Sequence, residues 1–359
     1  MRNQLFTSPC DPPVNLGGLT VPSRRDRTVR AVAAEWRRLT SPGKSRNGPG
    51  GQTLIACSGG GDSSALVIAL AAAAGRSAMQ ALTVAHIVHD LRAPREADAD
   101  RDRAEELAAT LGLPFVAASV AVKSLPGNAE ANARRARYAA LTEIASARGI
   151  RWIATAHNSH DLAESVIMAL LRGAGPRGIA GIAPSRRLAH GVRLVRPMLV
   201  ISPGEARALC GQAGWVFAHD ATNDDRSRLR NAVRAEILPR LLALRPGAER
   251  RIASAALRCK QAADTVTLRA VRANATAQTS GGFAWRREQL RALGPAVVGE
   301  ALRRAAAALA GPRVLDRLPA RTIDSAVRLI RSRQTDPKVL QWSGVVVNVD
   351  AHTVNLAAR

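Results

Sequence analysis

The sequence predicts an α/β protein: a parallel, doubly wound sheet, then a helical region, then a small α+β segment at the C-terminus. Three observations carry this. Short apolar runs alternate with helix-period stretches between residues 53 and 155. Strand-like signal vanishes after about residue 225, where Ala/Leu/Arg-rich sequence with helical period takes over. Apolar runs separated by turn residues return near the end.

In order along the chain, Pro9, Pro12, Pro13, Gly17, Gly18 and Pro22 mark residues 1–26 as a flexible extension. Val29, Val32, Ala33, Trp36 and Leu39 then fall at helical spacing with Arg27, Arg30, Arg37 and Arg38 on other faces. Residues 53–57, 82–88, 115–120 and 152–155 read as buried strands, and residues 64–74, 97–111 and 129–148 as helices between them. Such alternation implies βαβ crossovers and a parallel sheet. Residues 339–342, 345–349 and 353–356 read as the C-terminal strands. The boundaries expected are 1–26 for the extension, 27–225 for the α/β domain, 226–294 for a helical basic region and 295–359 for the α+β domain.

Composition narrows the partners. The chain has 359 residues, and its 52 Lys+Arg against 28 Asp+Glu give a net charge of +24, so a polyanion such as nucleic acid is the first partner to consider. A GC-rich coding bias explains why nearly all basic residues are Arg, but it does not create net charge. Aromatics at 3% argue against a stacking platform for single strands of any sequence. Cys10, Cys57, Cys210 and Cys259 form no C-x-x-C pair, which fits a reducing compartment and offers no local metal or cluster site. No signal-peptide core and no run of 18 apolar residues is found, so a cytoplasmic location without membrane attachment is expected.

The chemistry-bearing loop is Ser58-Gly59-Gly60-Gly61-Asp62-Ser63-Ser64, between the first sheet strand and its helix. Glycines let the backbone approach a ligand, the amides turn inward, and the helix N-terminus adds partial positive charge, which together make an anion site. A plain Gly/Ser turn capping a helix is the simpler alternative, and strand–loop–helix context favours the anion site. No Lys follows the glycines, so this is not a G-x-x-x-x-G-K-[ST] loop. Ser58-Gly59-Gly60-Gly61-Asp62-Ser63 resembles the S-G-G-x-D-S signature of the PP-loop ATP pyrophosphatases, which cleave ATP between the α and β phosphates and pass AMP to an acceptor oxygen. The resemblance implies the adenine nucleotide α-hydrolase-like sheet, ATP on Ser58, Gly59, Gly60, Gly61, Asp62 and Ser63, and Mg²⁺ on Asp62.

Further blocks narrow the resemblance. They are residues 85–92 with His86 and His89; 130–138 with Glu130, Arg134, Arg137 and Tyr138; 155–165 with His157, Asp161 and Glu164; 172–175 opening on Arg172; 220–223; and 230–234 with Arg230 and Arg234. Each block alone has an ordinary reading, such as a strand-end histidine or an i,i+4 surface ion pair. Their ordered occurrence over about residues 27–240 is similar to the tRNA(Ile)-lysidine synthases. That family commonly has two consecutive acids after the fourth strand, where this chain has His160-Asp161, and a glycine where it has Asp90.

The resemblance implies ligation of L-lysine to C2 of the wobble cytidine of tRNA(Ile) with a CAU anticodon, through a base adenylated at O2, converting codon reading from AUG to AUA. It implies catalytic roles for Asp62, Asp161, Glu164 and Arg134, with the two acids of residues 161 and 164 receiving the substrate ammonium. His86 and His157 would join the nucleotide site, and Glu130, Arg137, Arg172, Arg230 and Arg234 would meet substrate. Ten basic residues between Arg226 and Lys260, against Glu236 and Glu249, are expected to dock the tRNA body. A homodimer is left open. The rival readings are a PP-loop tRNA thiolase of the 2-thiocytidine type, disfavoured by the absence of paired cysteines, a small-molecule amidating ligase, and a non-catalytic RNA-binding protein.

Overall fold

A computed structural model describes residues 5–6, 19–41, 51–74, 80–91, 93–217, 229–273, 277–279, 282–311, 314 and 318–359. The chain divides into two units, Met1–Met168 with Gly181–Ser254 and Ala169–Ala180 with Ala255–Arg359.

The sheet of the first unit comprises β1 (Leu5–Phe6), β2 (Thr53–Ala56), β3 (Leu82–His89), β4 (Phe115–Val120), β5 (Trp152–Ala154), β6 (Ser185–Ala189) and β7 (Val192–Val195). The spatial order is β1-β4-β3-β2-β5-β7-β6. The five inner strands run parallel, and the edge strands β1 and β6 are antiparallel to their neighbours. The parallel α/β class read from the sequence is therefore present, with antiparallel edges that the sequence did not announce. From β2 the chain builds outward to β3 and β4, then crosses back to β5 on the other side. Loops leaving β2 and β5 thus diverge and open a crevice at the carboxyl ends of the strands, where ligands of such sheets bind.

Helix α1 (Arg27–Thr40) precedes β2, and α2 (Gly61–Ala74), α3 (Pro94–Thr110), α4 (Ala129–Ala147) and α5 (Ser159–Leu171) supply the crossovers; α6 (Pro176–Ile179) falls in the second unit, and α7 (Pro203–Ala213) returns to the first. Successive strand residues face opposite layers. Ile55, Leu82 and Val84 pack with Val32, Trp36, Leu66, Leu70 and Leu209 on one side. Leu54, Ala85, Val116, Ile153 and Leu194 pack with Leu141 and Ile144 of α4 on the other. α2 buries every residue from Ser63 to Ala73, so its run of alanines is a packing requirement for a helix covered all round. The Asp26 carboxylate caps α1 by accepting from the Thr28 and Val29 amides at 2.8 and 3.0 Å. Trp36 fixes α1 to the sheet by donating from Nε1 to Thr53 Oγ1 at 3.0 Å.

The strands β6 and β7 and helix α7 add to the elements anticipated. β6 is Ser-Arg-Arg-Leu-Ala on an exposed edge and β7 has four residues, so neither has a legible apolar period. After the residues of the first sheet come α8 (Leu229–Ala232), a π-helical turn at Val233–Ile237, α9 (Leu238–Leu244) and the long α10 (Ala248–Arg272).

The second unit carries β8 (Ala277–Thr279), β9 (Gly282–Arg286), α11 (Arg287–Ala292), α12 (Pro295–Ala310), α13 (Ala320–Arg331), β10 (Lys338–Trp342), β11 (Val345–Val349) and β12 (Thr353–Ala358). Its sheet is antiparallel in the order β10-β11-β12-β9-β8. Strands β8 and β9 fall inside the stretch read from sequence as helical. β9 opens on Gly282, pairs with β12 and places Trp285 in the core. At the heart of this unit Arg287, 1% exposed, donates to the carbonyls of Leu329, Ile330, Ser332, Gln334 and Asp350. With Arg291, which also donates to the Ile330 and Ser332 carbonyls, it closes the C-terminus of α13, where the last carbonyls have no partner within the helix. Among the described residues, no helix is long and apolar enough to cross a membrane.

Candidate active site

The glycine loop leaves β2 and enters α2. Gly59 has φ +84°, and a Cβ there would lie 2.8 Å from the Asp100 carbonyl oxygen of α3, so only glycine fits. A Cβ on Gly61 would meet the Phe217 ring at 3.0 Å, whereas one on Gly60 would meet only Ser58 Oγ at 3.7 Å. Ser63 Oγ holds the turn from inside: it accepts from the Ser58 amide at 3.1 Å and donates to the Gly60 carbonyl at 2.9 Å. With that proton committed, the 3.1 Å contact between the two hydroxyls is donated by Ser58. Ser63 is thus a strut of the loop, and Ser58 its outward hydroxyl.

A cavity of about 380 Å³ opens beside the loop, within the usual range for small-molecule sites. Ser58, Gly60, Asp62 and Ser63 line it from the loop, His86 and His89 from β3, Arg134, Arg137 and Tyr138 from α4, His157 from the β5–α5 turn and Asp161 from the first turn of α5. Four sequence blocks far apart in the chain therefore meet at one place. Glu130 and Arg172 are exposed and do not line it. The 220–223 block and residues Arg92, Arg226 and Arg228 lie outside the described residues.

Asn158, inside the 155–165 block but not among the residues singled out there, joins the two diverging loops. Its Nδ2 donates to Asp62 Oδ2 at 2.8 Å, while its Oδ1 accepts from the His160 and Asp161 amides at 2.9 and 3.2 Å. The Asp161 carboxylate returns a bond by accepting from the Asn158 amide at 3.0 Å. An Asn directly before a helix start was the available signal.

Burial, reinforced by the charge of Asp161, pushes the Asp62 carboxyl up to about 6, against the hydrogen bond from Asn158. Both histidines are held neutral. Burial lowers His86 to about 4 despite its Nδ1 bond to the Cys57 carbonyl at 2.9 Å, and that acceptor assigns the proton to Nδ1 and leaves the Nε2 lone pair free. Burial lowers His157 to about 4 against the pull of Asp161, with Arg196 and Arg134 adding to the fall.

The acids of α5 are not open to an incoming cation on equal terms. Arg230 donates to Glu164 Oε2 at 2.9 Å and to Asp161 Oδ1 at 3.0 Å; Arg234 donates to Glu164 Oε1 at 2.5 Å and to Asp161 Oδ1 at 3.2 Å. Glu164 is fully buried and outside the cavity lining, whereas Asp161 retains 15% side-chain exposure and lines it. A buried carboxylate requires such compensation. The π-helical turn at Val233–Ile237 sits where the second arginine reaches the pair. The basic stretch is correspondingly less free than its composition suggested: Arg230 and Arg234 hold acids, Arg250 pairs with Glu205 and Lys260 with Asp264, while Arg240, Arg245 and Arg251 are exposed.

A glycine loop beside a carboxylate thus stands at the switch point of this sheet, and a family model described as the PP-loop domain matches residues 32–241. The chain belongs to the PP-loop family. Its membership implies ATP use, and the described residues fit that group, since Ser58, Gly60, Asp62 and Ser63 of the loop line the cavity with Arg134 and Arg137 on its wall. They also fit Mg²⁺, which is commonly held by one or two carboxylates together with substrate phosphates, and Asp62 and Asp161 both face the cavity. Within the family this PP-loop chain is 44% identical over 198 residues to a tRNA(Ile)-lysidine synthase of Salinispora tropica, covering 54% of this chain and 57% of the relative. It is 39% identical over 212 residues to that of Geobacter sulfurreducens, with 58% and 44% covered. It is 39% identical over 243 residues to that of Bordetella bronchiseptica, with 66% and 67% covered. The chain spans about half the length of the first two of these curated relatives. Among solved structures, a U34-tRNA thiolase from Methanococcus maripaludis, with its [4Fe-4S] cluster, aligns at TM-score 0.50 and 16% identity over 65% of this chain and 79% of that one, a likeness of fold.

Proposed function

We propose that the protein ligates L-lysine to C2 of the wobble cytidine of tRNA(Ile) with a CAU anticodon, using ATP and Mg²⁺. The observation that carries this reading is the Asp62–Asn158–Asp161 connection, which ties the nucleotide loop to an acid facing the same cavity. The similarity to relatives named tRNA(Ile)-lysidine synthase supports it.

In the first half-reaction the cytidine O2 attacks the α-phosphorus of ATP; the new O–P bond forms as the bond to pyrophosphate breaks. The loop amides and the N-terminus of α2 receive the phosphates, and Arg134 or Arg137 faces charge developing across the cavity. Mg²⁺, when bound at Asp62, screens the phosphate charges. In the second half-reaction the ε-amine of lysine forms a C–N bond at C2 and AMP leaves with the O2 oxygen. A lysine amine with a pKa of about 10.4 arrives as ammonium, so an anion must bind it and take a proton. Asp161, exposed to the cavity, is the group for that role. Glu164, enclosed by Arg230 and Arg234, positions the pair and does not meet substrate. This assignment sharpens the sequence expectation, which gave both acids the same work.

Thiolation is less well supported by the cysteines. Burial raises the Cys57 thiol and pushes Cys210 up to about 12, the reverse of what a sulfur-transferring thiolate needs. The deciding experiment incubates the protein with ATP, labelled lysine and a tRNA(Ile) CAU transcript, then digests the RNA. Lysidine in the digest supports the proposal; no label in RNA, or label that enters without ATP, overturns it.

A further inference from the structure

Beside the cavity, three arginines converge on one tyrosine. The Arg134 guanidinium carbon lies 5.2 Å from the Tyr138 ring centroid and that of Arg186 lies 5.1 Å from it. Arg196, only 4% exposed just past the end of β7, interacts electrostatically with the same tyrosine and donates from Nη1 to the Ala183 carbonyl. Its Nε is buried with no hydrogen-bond partner among the described residues. No described carboxylate forms an ion pair with Arg186 or Arg196, in contrast to Arg230 and Arg234, each of which spans two acids. A buried guanidinium near two others, with no acid to offset them, is a cost in the isolated protein. It becomes an asset only when an anion arrives.

We infer that Arg196, Arg186 and Arg134 around Tyr138 form a seat for a phosphodiester of the RNA strand whose base enters the cavity. This rests on the proposed function and adds a subsite to it. The ligand chemistry is that of a phosphate: the guanidinium fork matches phosphate oxygens two at a time, and an unsatisfied buried Nε–H is a donor held ready. RNA is favoured over ATP by the elements involved. ATP phosphates have the glycine loop and the start of α2, whereas this cluster is assembled from α4, β6 and the end of β7, none of which contributes to that loop. Tyr138 and Arg134 line the cavity, and Arg186 is exposed on the edge strand β6, so the cluster runs from the cavity wall to solvent. A nucleotide extruded from a strand brings its base inside and leaves its flanking phosphates at the mouth.

The test compares Arg186→Ala with Arg187→Ala, the neighbouring exposed arginine on the same strand, which points to the opposite face and removes the same charge. Affinity for a tRNA(Ile) CAU transcript is titrated at several salt concentrations, and ATP affinity is measured alongside. R186A is expected to weaken RNA binding roughly tenfold and to reduce the slope of log affinity on log salt by about 1, while R187A and ATP binding stay near the parent. Arg196→Lys, which keeps the charge but loses the fork, is expected to weaken RNA binding with the thermal midpoint retained. Equal effects of R186A and R187A overturn the inference and leave the proposed function standing. A loss confined to ATP affinity assigns the seat to ATP phosphate and overturns it as well. A parent protein that binds no RNA removes both.

Discussion

Asn158 Nδ2 donates to Asp62 Oδ2 across 2.8 Å, binding the loop after β5 to the loop after β2 at the point where the sheet changes direction. One amide side chain therefore both caps α5 and orients the carboxylate of the nucleotide loop. Asn158→Ala removes both and is expected to lose about 1 kcal/mol of stability with the cap. Asn158→Asp separates the two roles. It keeps a cap but sets a third carboxylate against Asp62, raising that group further, so the acidic limb of pyrophosphate release should move to higher pH. An unmoved limb in N158D, at an unchanged thermal midpoint, would refute the coupling.

The three glycines of the loop predict unequal tolerance. Gly59→Ala must force a side chain to φ +84° and push Cβ within 2.8 Å of the Asp100 carbonyl, against backbone that cannot swing away. The left-handed conformation alone costs about 1–2 kcal/mol. Gly60→Ala meets nothing closer than Ser58 Oγ at 3.7 Å. G59A is therefore expected to lower the melting temperature and abolish ATP binding, while G60A melts with the parent. Reduced ATP affinity in G60A at parental stability would show that ligand approaches that residue's backbone; equal melting of the two variants would contradict the loop geometry.

Glu164 and Arg234 predict strong energetic coupling. The carboxylate is fully buried and its oxygens are shared between two arginines. Removing Arg234 leaves Arg230 as its remaining partner, so R234A should cost on the order of 2–3 kcal/mol, somewhat below the loss for a wholly buried pair because the arginine is partly exposed. The double variant E164Q/R234A, which removes the charge as well as its partner, should recover much of that loss. Urea unfolding of the four species closes the cycle, and additive effects would show that the pair does not act as a unit.

Much of this site was legible before any coordinates, and the reasons divide cleanly by length scale. The glycine loop could be found because its chemistry is local: strand, glycines, acid and helix start are contiguous. The convergence of His86 and Asp161 on it follows from parallel topology, which brings the carboxyl ends of successive strands to one side, whereas Tyr138 reaches it from the middle of α4. What escaped was pairing over long sequence separation. Arg230 and Arg234 looked like part of a basic docking run because nothing local reveals that their partners sit some 70 residues earlier. Arg196 escaped because a single arginine after a four-residue strand has no pattern around it. The pairing of β8 with β9 escaped because strands of three and five residues are too short to show a legible alternation.

In the second unit, Arg287 predicts a stability effect that has no counterpart at the cavity. Its guanidinium serves five carbonyls, four of them at or just beyond the end of α13. Arg287→Met fits the volume but takes the donor from the Gln334 and Asp350 carbonyls, while Ile330 and Ser332 keep Arg291 and Leu329 keeps the Ser332 amide, at about 1–3 kcal/mol for each unpaired acceptor that water cannot reach. Unfolding followed by Trp285 and Trp342, both in the core of this unit, should shift to lower denaturant. Arg287→Lys, with three donors on one atom, should recover only part of the loss, and full recovery would mean that charge rather than the fork is what α13 needs.

Asp62 predicts that function and stability pull in opposite directions. Its carboxyl is raised to about 6 from an unfolded value near 3.8, chiefly by burial and then by Asp161. A raised folded pKa means that the protonated form is favoured in the native state. The stability it contributes is therefore complete below about pH 4 and is lost as pH rises through 6. About two pKa units correspond to roughly 3 kcal/mol withdrawn by neutral pH. Asp62→Asn avoids ionisation altogether while keeping the shape, so the variant should melt higher than the parent at pH 8, by a margin that narrows towards pH 5. The same substitution removes the group that would hold Mg²⁺ against the phosphates, and pyrophosphate release should fall by at least a hundredfold, roughly 2.7 kcal/mol. Thermal melts of parent and D62N across pH 5–8, with the release assay at pH 8, read both halves. A margin that is constant with pH would show that Asp62 does not titrate in this range.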